Sequence, residues 1–109
     1  MQPTATLVIL DPEQGSAVAR GVTAWAALAA GMGPLAADRA GRAVQAAVAA
    51  AGAPVTVTAQ VEEGTATIDL QRPGGWPPEA AAQVDRVGAS AVSREALRLR
   101  IAPPPLRAV

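Results

Sequence analysis

Apolar and polar residues alternate strictly through "VTVTAQV" and "TATIDLQ", with "EEG" between them. A period of two marks a strand with one buried face, and a Glu63–Gly64 turn folds the two runs into a hairpin. That turn sets Val61 opposite Ala66, Ala59 opposite Ile68 and Val57 opposite Leu70, so inward residues meet inward residues. Nearer the start, "TATLVIL" (4–10) is short, β-branched and mostly apolar, which predicts a strand with both faces partly covered. "DPEQ" then signals a helix start: Asp11 can cap, Pro12 suits the first helical position and Gln14 can reach back. Val18, Val22, Trp25, Ala29 and Met32 follow at three-to-four spacing. That stripe predicts the buried face, with Trp25 in the core and with Arg20 and Thr23 pointing elsewhere.

"GMGP" (31–34) ends this helix, and a second is expected from about Leu35 to Ala51, burying Ala40, Val44, Ala47, Val48 and Ala51. A short helix from Pro78 to about Val87 should turn Ala81, Val84 and Val87 inward. "ASAVS" and "ALRLRIA" read as two strands joined near Arg94–Glu95. In the second, Leu97, Leu99 and Ile101 face in, and Arg98 and Arg100 form a basic edge that discourages edge pairing. Residues 1–102 thus form one domain, and 103–109 a Pro-rich tail that cannot join a ladder at its prolines. The expected fold class is α+β, a two-layer sandwich with an antiparallel or mixed sheet and helices on one face.

Composition narrows the chemistry. Half of the 109 residues are apolar but only 2% are aromatic, so Ala, Val and Leu must build a thin core. Nine acids balance nine bases, which leaves no net field to draw the chain to nucleic acid or a membrane. The chain has no His, Cys, Lys, Tyr, Phe or Asn, and all its bases are Arg, which points to a GC-rich bacterial genome. Without His or Cys there is no usual zinc site and no Ser-His or Cys-His nucleophile pair; without Lys there is no P-loop lysine. No metal, cofactor or catalytic residue is therefore assigned. "TLVIL" lacks a basic region before it, and no apolar run reaches membrane-span length, so a cytoplasmic location is expected.

One motif could still carry chemistry: "RPGGW" (72–76), a Gly-rich turn after a strand, which either cradles a phosphate or simply turns the chain. Two helices ahead of a hairpin ending in such a turn resemble the anti-sigma-factor serine-kinase branch of the GHKL ATPases. "DPEQGSAVARGVTAWAALAAGMGPLAADRAGRAVQAAVAAAG" is similar to that family's first two helices, with Arg20 midway along the first. "APVTVTAQVEEGTATIDLQRPGGW" looks like the hairpin leading to its adenine-binding turn. The likeness spans roughly residues 4–76 and implies a GHKL-like, truncated fold.

The likeness stops at the family's chemical positions. Where the family places a Glu and, four residues on, a magnesium-binding Asn, this chain has Ala46 and Ala50, or Gln45 and Ala49 after a one-residue shift. Where the family's Asp-x-Gly-x-Gly binds adenine, this chain has Arg72, Pro73, Gly74, Gly75 and Trp76. A guanidinium cannot accept the adenine hydrogen bond, and Ala offers magnesium no oxygen. The resemblance therefore implies a non-catalytic regulatory module that binds a sigma factor, an anti-sigma antagonist or a homologous subunit, as a homo- or heterodimer. It makes Arg20 a partner-facing residue. Trp76 is a second candidate, either an interface anchor or a lid on the core. The alternatives are a divergent ATP-binding serine kinase and a structural subunit of a larger complex.

Overall fold

The computed structural model describes residues 4–103. The elements run β1 (Thr4–Ile9), α1 (Pro12–Ala29), α2 (Pro34–Ala49), β2 (Val55–Glu62), β3 (Thr65–Gln71), α3 (Pro78–Asp85), β4 (Ser90–Ala91) and β5 (Ala96–Ile101). The strands form one antiparallel sheet in the order β1-β2-β3-β5-β4, and the helices cover one of its faces. This is the α+β two-layer arrangement expected from the pattern. The expected tail lies almost wholly outside the described residues.

The hairpin has the expected register: Val61 faces Ala66, Ala59 faces Ile68 and Val57 faces Leu70. Glu63 and Gly64 turn at φ of 47° and 79°, the left-handed pair that a two-residue hairpin loop needs. β5 buries Leu97, Leu99 and Ile101 as expected. It is not an edge, however. β4 pairs outside it over Ser90–Ala91, and Arg98 is tied to Asp69 across the ladder at 2.8 Å. β4 is also shorter than "ASAVS" suggested.

α2 ends at Ala49, two residues short of the expected bound; it buries Ala40, Val44, Ala47 and Val48 as expected and also Ala37 and Gly41, and Ala51 just past its end is buried too. At Gly41 the two long helices touch. A Cβ there would stand 2.9 Å from the Arg20 carbonyl oxygen and 3.5 Å from the Ala24 Cβ. Such close approach explains why α1 is rotated from the expected face. Its buried residues are Ser16, Ala19, Thr23, Ala26 and Ala27, and Ala30 just past its end is buried too. Small side chains fill the centre of the contact between α1, its neighbour and the sheet, so Val18, Trp25 and Ala29 of the expected stripe lie outside, while Val22 and Met32 stay partly buried against the core. Val18 is 54% exposed and Trp25 42%, so Trp25 is not a core residue. Thr23, expected outside, is fully buried.

The Thr23 hydroxyl has no hydrogen-bond partner. An unpaired buried hydroxyl carries a desolvation cost that a methyl of the same shape avoids. Thr23→Val should therefore raise unfolding free energy by about 1 kcal/mol, read as a higher urea midpoint at unchanged slope.

β1 departs from expectation as well. Ala5, Leu7 and Ile9 face the helices, but Thr4, Thr6 and Val8 lie open, so a single face is covered. It is an edge strand, paired to β2 alone. Asp11 caps α1 as predicted, its carboxylate accepting from the Glu13 and Gln14 N–H groups at 3.1 and 3.5 Å. Gln14 makes no return bond.

Candidate functional site

The RPGGW turn is filled from within. Gly74 and Gly75 hold φ of 90° and 96°, a conformation that favours glycine. In an anion nest, successive N–H groups would point at an empty centre. Here each has a partner: Gly74 donates to the Glu95 carboxylate at 3.1 Å, Gly75 to the Arg72 carbonyl at 3.1 Å, and Trp76 to the Arg94 carbonyl at 3.3 Å. The Arg72 guanidinium faces inward, donating from Nε to the Ala51 carbonyl at 2.7 Å and from Nη1 to the Gly75 carbonyl. It staples the end of α2 to the turn. Any phosphate arriving here would meet the Glu95 carboxylate and no unpaired N–H. The turn only redirects the chain.

Trp76 belongs to the same assembly. Its half-buried indole packs against the core, and Nε1 donates to the Leu70 and Glu95 carbonyls at 3.2 and 3.1 Å. An indole held this way serves the core and has no spare donor for a partner. Arg20 is likewise engaged. Its guanidinium meets Asp38 at 2.8 Å and the Gln45 side-chain oxygen at 3.4 Å, bridging α1 to α2, while Arg42 holds the other Asp38 oxygen at 2.9 Å. At 40% side-chain exposure this bridge is worth no more than about 1 kcal/mol. It still gives Arg20 an internal partner that the sequence did not reveal. Along α2, Ala46 is half-buried, Ala49 and Ala50 are exposed, and Gln45 is taken up by Arg20. None offers magnesium a free oxygen.

The structure instead exposes an apolar face at one edge of the molecule. α2 packs on the flank of α1 that carries Arg20 and Ala24. Val18, Trp25 and Ala29 lie exposed on the opposite flank, with Val22 beside them partly buried against the core. Val18 and residues 7–10 together line a hollow of about 320 Å³. Val8 is 67% exposed and Leu10 77%. No charged side chain occurs from Thr4 to Leu10 or among the four flank residues of α1. Asp11 stands at the rim, occupied by its cap.

The bulky stripe expected to be buried is open at Val18, Trp25 and Ala29 and packs against the core only in part, at Val22 and Met32. The signal that separates the sides was there: a second stripe of only small residues, at the same spacing, facing a helix that itself presents Ala and Gly. A scan against models of known protein families finds no match for this chain, and no curated protein sequence matches it. Side chains and fold therefore carry the functional reading. Among the described residues, no helix is long and apolar enough to cross a membrane.

Proposed function

We propose that the chain is a non-catalytic regulatory module of the anti-sigma kind, its nucleotide chemistry lost, which works by pairing its open edge with another protein subunit. The observation that carries this reading is the apolar face formed by β1 and the outer flank of α1. Unpaired strand N–H and C=O groups are satisfied best by another strand, and natural edges usually carry charge, Pro or a bulge to prevent that. β1 carries none of these.

The partner that fits is a second copy. A face without charge offers no handle to a strongly acidic or basic protein. Rotation by 180° about an axis normal to the sheet, just outside β1 and level with Leu7, brings β1 antiparallel to its copy. Leu7 then meets Leu7, Ala5 meets Ile9, and Thr6 meets Val8, so residues that face the same side stay together. The same rotation leaves the helices on one side of the continued sheet and sets the two α1 flanks against each other. A strand of about 20 Å beside a helix of about 27 Å gives a joint interface on the order of 1,000 Å². That lies at the low end for specific association and fits dissociation constants of tens of micromolar.

Sedimentation equilibrium tests this reading. Between about 1 μM and about 1 mM the mass should climb from the 10.9 kDa of one chain toward twice that value. A mass of one chain throughout would overturn it. The lost nucleotide chemistry has its own check. ATP with magnesium at about 5 mM should leave the melting temperature unchanged, because ligand linkage has no site to act through. A rise of several degrees would instead favour the divergent-kinase reading.

A further inference from the structure

Two features of the apolar face go unused within one chain. One is Trp25, a large aromatic left 42% exposed on the outer flank of α1. The other is the hollow of about 320 Å³ at the start of the same helix, lined by Ile9, Leu10, Gln14 and Val18 among others. Gly15 borders it without a side chain to fill it. A Cβ there would collide with Ile9, so only glycine lets the helix sit this close on the strand. Trp25 lies about 15 Å along the helix axis from Gly15, too far to fold back into the hollow of its own chain.

A second copy brings the two features together. α1 begins over β1, with Gly15 against Ile9, and ends near the β2–β3 turn, where the Ala30 carbonyl lies 4.0 Å from the Cβ position of Gly64. Thr4 pairs with Gln60, so that turn lies past the Thr4 end of β1, and the helix runs back along the strand. From Ile9 to Ala5 the strand covers about 13 Å. The helix rises as far in about nine residues, which takes it from Gly15 to the level of Ala24 and Trp25. Trp25 therefore stands level with Ala5. In the two-fold pairing Ala5 meets Ile9 of the other copy, and Ile9 lines the hollow.

We infer that Trp25 of each copy inserts into the hollow between Ile9 and Val18 of the other and anchors the self-association proposed above, on which this assignment rests. The small Ala5 side chain leaves room above it for an indole. Because α1 recedes from the sheet edge toward the β2–β3 turn, only a long side chain at position 25 reaches back to the seam. Pockets of about 300 Å³ and more enclose groups of that scale, and Trp seated in a closed pocket is a common hot spot. A buried indole N–H needs an acceptor. Gln14, whose side chain makes no hydrogen bond among the described residues, has an amide oxygen to accept it. The two-fold axis repeats the contact, so each pair of chains uses both indoles.

Sedimentation equilibrium of the full chain and its variants tests this assignment. Trp25→Ala should weaken association by about 100-fold, because each pair of chains loses two anchors. Trp25→Phe and Gln14→Ala should each weaken it by about tenfold. Combined, they should cost less than about twofold beyond either alone, since donor and acceptor belong to one contact. Leu28→Ala trims an exposed side chain of the same helix outside the seam and should match wild type. All three positions are exposed and Ala favours helix, so circular dichroism melts should show every variant folded. Unchanged association in Trp25→Ala would overturn the anchor and leave the pairing of β1 edges standing. Equal weakening by Leu28→Ala would overturn it too, as would additive losses from Gln14→Ala and Trp25→Phe. A wild-type mass of one chain at every concentration would remove the pairing itself, and the anchor with it.

Discussion

Trp76→Ala should destabilise the fold by about 3 kcal/mol, the lower end of the range for truncating a large core aromatic. The indole is half-buried, lies against the core and bridges two separate segments. Its Nε1 ties Leu70, at the end of β3, to Glu95, ahead of β5. Alanine removes the area and the donor together. Trp76→Phe keeps much of the area and loses only the donor, so it should cost about 1 kcal/mol. Urea unfolding followed by circular dichroism reads both, and Trp25 remains as a fluorescence reporter. Were Trp76→Ala to lose less than about 1 kcal/mol, Trp76 would not be a core lid, and the interface-anchor reading would return.

Val18→Arg should leave the monomer intact and weaken self-association by at least about 100-fold, close to 3 kcal/mol. Val18 is more than half exposed, so its replacement should change stability by less than about 0.5 kcal/mol. In the two-fold arrangement each copy would bring one new guanidinium into the same apolar seam. Nothing there is acidic except Asp11, whose carboxylate is already engaged at the start of α1. Desolvating two like charges without partners is what such a seam tolerates least. Unaltered association in this variant would place the contact elsewhere on the molecule.

The hairpin was legible because period two, a Glu-Gly turn and matched inward residues all demand the same register. α2 was legible because its apolar residues form one stripe. α1 was not, because it carries two stripes at helical spacing and burial preference alone chooses the larger side chains. The deciding quantity was the distance between helices. Gly41 lets α1 approach until a single Cβ would collide with its backbone, and at that distance Ala and Thr outcompete Trp and Val for the interior. Strand order is likewise absent from a single sequence, so neither the open edge at β1 nor the inner position of β5 could be read. Arg20 was recognisable as a helix-surface arginine, but its partners on α2 depend on how the helices cross.

Hydrogen exchange along β1 tests the docking account most directly, because it reports on the strand edge itself. Alternate amides of residues 4–9 point away from β2 and have no ladder partner in one chain. At about 5 μM protein they should exchange nearly as fast as unstructured amides, and at about 1 mM they should slow by at least about tenfold as a second strand covers them. Val18→Arg should abolish that difference. Identical exchange across β1 at both concentrations would contradict the account.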